Sequence, residues 1–286
     1  SGLTASGYRA YILKNPTVFN ELKKLATGSK VIGISKTNLE SLVLYLPPLP
    51  EQRKIAAILS TWDKVIDAQT KLIEAKEKQK KALMQTLISG EVRFEGFDDD
   101  WEYVTLADVA NFSNGKAHEG SVSDDGKYIL VNSKFVSTEG RESKRSKENL
   151  SPLQQGDVVM VMSDVPNGKA LSKCFIIPET GHYTLNQRIC SIVPFKANNV
   201  FLYYVLNRNK YYLQFDTGVG QTNLRKEEVL GCPIWLPSIE EQRKIAMVLT
   251  ACDTELKKMR NELDAILKQK KGLMQNLLTG KIRVRP

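Results

Sequence analysis

The sequence predicts a mixed α/β protein in which a strand-rich domain is flanked by two long helices that pair as a coiled coil. Three observations carry this reading. One segment of about fifty residues occurs twice. Each copy has the apolar spacing of a helix, and the stretch between them breaks into short apolar runs separated by turn residues.

The hexapeptide EQRKIA begins at Glu51 and again at Glu241. A shift of 190 positions aligns Leu46–Phe94 with Leu236–Val284 without a gap, and 21 of the 49 positions are identical. A period this long describes a duplicated domain rather than a solenoid. Upstream the match is weaker: TGSKVIGISKTNL faces TGVGQTNLRKEEV, and residues 11–26 occupy the place of NVFLYYVLNRNKYYLQF. The chain therefore divides into the end of a first domain (1–45), a long helix (46–94), a complete strand-rich domain (95–235) and a second long helix (236–286). Ser1 and Gly2 read as a cloning remnant.

In the second copy Leu249, Cys252, Leu256, Met259, Leu263, Ile266, Lys270, Leu273 and Leu277 follow alternating steps of three and four, a heptad seam that only Lys270 interrupts. Leu59, Trp62, Ile66, Gln69, Ile73, Lys76, Lys80, Leu83 and Leu87 take the same places in the first copy, with a more polar middle. Pro50 suits a first helical turn, and Ser238 with Glu241 reads as a capping box. Gly90 and Gly280 stand where a left-handed residue would end each helix. About forty residues at about 1.5 Å each make a rod of about 60 Å. Neither rod can bury its stripe alone. Periodicity leaves the pairing open between parallel and antiparallel.

Between the rods, KYILVN, DVVMVM, CFIIP, RICSIVPF and CPIWLP read as strands, and Phe201, Val205, Leu206 and Leu213 keep helical spacing. Phe112, Trp101 and the tyrosines 203, 204, 211 and 212 read as core rather than as stacking platforms. The net charge is +9, with a sharp internal asymmetry: residues 95–126 carry −8 and residues 127–226 carry +7. A basic middle segment points to an anionic partner such as nucleic acid. No apolar run reaches the roughly eighteen residues of a membrane helix, and the start lacks the pattern of a secretory signal. Four scattered cysteines and two lone histidines give no metal cluster or disulfide framework, so reduced thiols and a cytoplasmic location are expected.

Catalytic signatures are missing. There is no G-x-S-x-G, P-loop, H-E-x-x-H or adenine-methyltransferase tetrapeptide. Glu142-x-Lys144 is one fragment of a metal-nuclease pattern, but such triplets arise freely in charged sequence. What the middle domain offers is basic and amide side chains at turns. Lys134, Arg141, Lys144, Arg145 and Lys147 crowd one polar stretch and suit phosphate contact. NGKALSK offers Lys169 and Lys173 beside a glycine. Asn186, Gln187 and Arg188 stand together, and such side chains read adenine and guanine edges bidentately. A solvated loop, strand packing or turn capping would use the same residues.

These features resemble the specificity subunit of Type I restriction–modification enzymes. The duplicated LPxxxEQRKIA…KQKKxLMQ segment is similar to that family's paired helices, and residues 95–235, with LQQGDVVM and LNQR, to one of its target recognition domains. The resemblance implies a non-catalytic subunit that binds double-stranded DNA and reads half of a split target, with the helices as a ruler. It implies modification (methyltransferase) subunits that bring S-adenosylmethionine, and restriction subunits joined through the complex; no cofactor is expected on this chain. Residues 1–45 match only the end of a first recognition domain. The chain is then either part of a longer subunit or a half-sized form completed as a homodimer. A coiled-coil assembly scaffold without DNA reading, or a nuclease, are the competing readings.

Overall fold

The computed structural model describes residues 3–26 and 33–285; Ser1, Gly2 and the start of the TGSKVIGISKTNL match lie outside them. Two compact units emerge, Ser1–Gln79 with Asp253–Pro286, and Lys80–Cys252. In chain order the elements are α1 (Tyr8–Ile12), α2 (Pro16–Leu25), α3 (Lys36–Glu40) and α4 (Leu49–Ile88). Next come β1 (Glu102–Thr105), β2 (Ala110–Asn114), β3 (Tyr128–Val131), α5 (Ser133–Ser137), β4 (Lys144–Ser146) and β5 (Val158–Val161). Then follow β6 (Ser163–Asp164), β7 (Cys174–Ile176), β8 (Tyr183–Leu185), β9 (Ile189–Pro194), α6 (Asn199–Leu206) and α7 (Lys210–Leu213). The chain closes with β10 (Thr222–Asn223), α8 (Lys226–Leu230), β11 (Pro233–Leu236) and α9 (Ile239–Leu278). Among the described residues, no helix is long and apolar enough to cross a membrane.

The first unit settles the orientation of the helix pair, which is antiparallel. Lys76 pairs with Glu255 (2.9 Å), Arg260 with Glu77 (2.6 Å) and Lys270 with Asp63. Gln69 donates its amide to the Met259 carbonyl (3.3 Å), beside an apolar cluster of Ile73, Leu256, Met259 and Leu263. Every seam position of both helices is buried or half-buried. Lys270 fits the seam because Asp63 takes its charge. Gly90 and Gly280 both sit at φ 73°, the left-handed conformation expected after a last helical turn.

The repeated hexapeptide now has a reason. In both copies its Glu, Gln, Ile and Ala are buried. Gln52 accepts the Ala5 N–H (2.8 Å) and donates to the Pro47 (2.8 Å) and Leu3 (3.0 Å) carbonyls. Gln242 likewise accepts the Asn198 N–H (2.8 Å) and donates to the Pro237 carbonyl (2.8 Å). Each glutamine thus ties the start of a long helix to the small helices packed on it. Each glutamate grips an arginine that follows the other helix: Glu51 takes Arg283 (2.8 and 2.6 Å) and Glu241 takes Arg93 (3.1 and 2.9 Å). The capping box at Ser238 forms only by half. Ser238 Oγ accepts the Glu241 N–H (3.3 Å), but the carboxylate goes to Arg93 and to the Trp101 indole N–H (3.0 Å) instead of turning back.

The Arg283 hydrogen bonds hold the Glu51 carboxyl below its ordinary pKa, with burial opposing and the Val284 N–H assisting. Burial would raise Asp63, yet bonds from Lys270 and Tyr11 lower it overall. A carboxyl depressed in the folded state contributes stability above its unfolded value of about 4 and loses it as pH falls through the folded value. Acid unfolding of the first unit, followed by Trp62 fluorescence, is therefore expected below about pH 4. The acid-dependent loss should be shallower in Arg283→Gln; an identical pH profile would refute the assignment.

In the second unit, β5 lies inside a four-stranded sheet ordered β2-β9-β5-β7, its four residues all buried. A three-stranded sheet, β4-β3-β8, joins β3 and β8 in parallel. β1 and β11 form an antiparallel ribbon, and β6 and β10 a short pair. α6 packs on the larger sheet, burying Phe201, Leu202, Tyr204 and Leu206. Tyr212 is fully buried and donates its hydroxyl to the Val229 carbonyl (3.0 Å). Tyr204 and Tyr212 are core residues, while Trp101 and Phe112 are half-buried against the same core.

Candidate nucleic-acid interface

The two sheets of the second unit end together. β8 pairs with β3 through Leu185 and Val131, then turns through Asn186–Arg188 into β9, which pairs with β5 and β2. The turn therefore belongs to both sheets. Around it lie the chain leaving β3 into α5, the chain entering β4, the loop from β6 to β7, and the chain leaving β2.

Eight of the ten sequence candidates gather at this end. Arg188 is exposed and adopts φ 67°, a left-handed backbone that a non-glycine residue enters only when its surroundings hold it there. Its carbonyl accepts the Met162 N–H (2.9 Å). Gln187 is exposed and donates its amide to Glu119. Asn186 is half-buried and forms a parallel bridge with Lys116. That approach requires Gly115, where a Cβ would stand 2.0 Å from the Asn186 carbonyl oxygen. Lys169 rides on a loop closed by Asp164, whose carboxylate accepts the N–H groups of Val165 (2.8 Å), Ala170 (2.6 Å) and Leu171 (3.0 Å). Lys173 is half-buried and donates to the Ser137 carbonyl (3.2 Å), which makes it a brace for α5. Lys134 is paired with Glu142 (3.3 Å), Arg141 donates to the Thr138 carbonyl (3.0 Å), and Lys144 is exposed at the near end of β4. Glu142 thus serves Lys134.

Arg145 and Lys147 point away. β4 runs antiparallel to β3, so these two lie progressively toward the opposite end. There Arg145 reaches the Gly126 carbonyl (3.4 Å) and Lys147 pairs with Asp125 (3.4 Å). Ser123 first, with Lys147 assisting against burial, lowers the pKa of that aspartate.

Sequence reasoning missed Lys116 and Gln221. Lys116 is exposed beside Asn186, its loop pinned by buried His118. The Nδ1 of His118 meets the Lys116 carbonyl (2.7 Å), so that nitrogen carries the hydrogen and Nε2 accepts from Thr184 (2.9 Å). Gln221 donates its amide to Ser163 (3.2 Å), beside the Asp164 loop. The signals available were the glycines: Gly115 precedes Lys116, and Gly218 and Gly220 precede Gln221. The resulting end face presents Lys116, Lys144, Lys169, Gln187 and Arg188 from four separate segments. Exposed cations with adjacent amides suit contact with phosphates and base edges.

Comparison with known proteins places the chain in a family. The family model described as Type I restriction modification DNA specificity domain matches residues 5–78 and 98–266. The Type I restriction enzyme MjaVIII specificity subunit of Methanocaldococcus jannaschii is 29% identical over 97% of this chain and 70% of its own length. The putative MjaX specificity subunit of the same organism is 28% identical over 97% of this chain and 68% of its own length. The chain thus spans about 70% of these relatives. Among solved structures, the S subunit of a Type I restriction–modification system from M. genitalium superposes with a TM-score of 0.63 at 19% identity, covering 97% of this chain and 74% of that one. A protein solved in work on assembly and conformational transition of the type I R-M system gives a TM-score of 0.63 at 16% identity, covering 98% of this chain and 73% of that one. These two likenesses concern the fold. With a duplicated helix segment, a mixed recognition domain and a family match over most of its length, the chain belongs to the Type I restriction–modification DNA specificity family.

Proposed function

We propose that residues 95–235 form a target recognition domain that reads one half-site of a split DNA target through the end face around Asn186–Arg188. Modification subunits dock on the assembly and bring S-adenosylmethionine, and restriction subunits join through that complex. The observation that supports this reading is the convergence of Lys116, Lys144, Lys169, Gln187 and Arg188 at the shared end of two sheets. No single stretch of sequence supplies that grouping.

Phosphate contacts make affinity fall with salt, each neutralised phosphate adding about 0.9 to the logarithmic slope. Four exposed cations (Lys116, Lys144, Lys169 and Arg188) give an expected slope of about −3 to −4. Lys169→Ala should reduce its magnitude by about 1 while weakening all sequences alike. Filter binding across a salt series, with and without the methyltransferase partner, measures both. A salt-independent affinity would sink the reading, and no DNA binding in either setting would leave the scaffold.

Arg188→Ala is expected to relax discrimination at one base by about 1–3 kcal/mol, the usual worth of a bidentate base contact. Arg188→Gly adopts the observed φ without strain, so it should melt no lower than the parent chain and still lose the same discrimination. Methylome sequencing of cells expressing each variant with its partner reads the outcome. An unchanged target for both variants would remove Arg188 from the interface.

A further inference from the structure

Beside Arg188 the second unit raises a finger of two loops. Its root is joined to the Arg188 turn by main-chain bonds: Met162 donates its N–H to the Arg188 carbonyl (2.9 Å), and Leu224 donates to the Met162 carbonyl (2.8 Å). From there β6 and β10 run side by side, Ser163 against Asn223 and Asp164 against Thr222, and open into residues 165–172 and 214–221.

Each loop spends a carboxylate on its own backbone. Asp164 closes the first, and Gly168 is required there because a Cβ would stand 2.2 Å from that carboxylate. Asp216 closes the second by accepting the Gly218 N–H (3.0 Å) and the Thr222 hydroxyl (3.3 Å), and it also takes the Asn167 N–H (3.2 Å) of the first loop. The two loops are thereby tied to each other. Arg208 braces the base, its guanidinium donating to the Leu171 carbonyl (3.0 Å) and its main-chain N–H to the Ser172 carbonyl (2.9 Å).

What this bracing presents is apolar. Val165 is 63% exposed and Val219 84%, and no large apolar side chain among the described residues of the second unit is more exposed than Val219. A single exposed valine is ordinary. These two ride on joined loops whose aspartates are spent internally, with exposed Lys169 on the same finger.

We infer, on the DNA reading proposed above, that this finger enters the major groove beside Arg188 and reads thymine, with Val165 and Val219 packing on C5-methyl groups. That methyl is the apolar feature a base pair shows in the major groove, and apolar side chains are its usual contact. Lys169 meets a neighbouring phosphate. The finger adds thymine recognition to the hydrogen-bond readout of Gln187 and Arg188, through side chains that form no hydrogen bond.

The test removes the methyl group from the DNA. The chain with its methyltransferase partner is titrated by filter binding against its target duplex, found by methylome sequencing, with each half-site thymine replaced in turn by deoxyuridine. At least one replacement is expected to weaken binding about three- to fivefold, the worth of one buried methyl. In Val165→Ala/Val219→Ala the difference between the thymine and deoxyuridine duplexes should shrink below about 1.5-fold. Both side chains are exposed, so the melting curve of that variant should match the parent. Specific binding indifferent to every deoxyuridine, or a half-site without an A·T pair, overturns the thymine reading and leaves the DNA interface standing. A methyl effect that persists in the double variant overturns the assignment to the finger. So does a variant that assembles poorly with the methyltransferase yet keeps the methyl effect, which would give the valines to that partner. No DNA binding by the parent complex overturns both readings.

Discussion

Gln242→Ala is expected to lower the stability of the second unit by about 2–4 kcal/mol, because two main-chain groups lose the side chain that satisfies them. The glutamine accepts the Asn198 N–H and donates to the Pro237 carbonyl, both at 2.8 Å, and is 1% exposed. An unsatisfied buried group costs about 1–3 kcal/mol, well above the net worth of an ordinary hydrogen bond. Gln242→Met separates bonding from packing, since it restores most of the volume and neither bond. It should remain destabilised by nearly the same amount. Urea unfolding followed by the fluorescence of Trp101 and Trp235 measures both variants. A methionine variant as stable as the parent would show that the glutamine merely fills space.

Lengthening both long helices by seven residues is expected to lengthen the DNA spacer that the assembled methyltransferase accepts. Seven residues add about 10 Å of rise and keep the heptad phase. The insertions belong after Gln69 and after Met259. In the antiparallel pair these residues face one another, Gln69 donating to the Met259 carbonyl, so the two new heptads are in register. Duplex DNA rises about 3.4 Å per base pair, so the expected change is about three base pairs. Rotation of the duplex shifts the preferred length by no more than about one pair. Methylome sequencing should find the same half-sites farther apart. An unchanged spacer in a folded, assembled protein would mean the helices are not the ruler.

The long helices were legible because steps of three and four persist over about eight turns and survive comparison between the copies. Their relative direction was not, since a heptad seam reads alike in either sense; charge pairs such as Lys76–Glu255 decide it only once the chains are in space. Strands with apolar runs, such as Val158–Val161 and Ile189–Pro194, were visible. Lys144–Ser146, Tyr183–Leu185 and Thr222–Asn223 were not, because segments of two or three residues become strands through their neighbours rather than by propensity. The candidate site shows the same division. Arg188 and Lys169 could be named by residue type, but their gathering depends on the parallel pairing of β3 with β8, over fifty residues apart in sequence. Lys116 escaped notice because it is the lone cation in an acidic stretch.

The exchange of arginines between the copies has a bearing on how such a chain can be divided. Glu51 is satisfied by Arg283 and Glu241 by Arg93, so each lock has its key on the other copy. Cut anywhere between Arg93 and the second long helix, the polypeptide yields two pieces, each holding a glutamate and an arginine whose partners are on the other piece. Each buried glutamate then lacks the arginine that satisfies it in the intact chain.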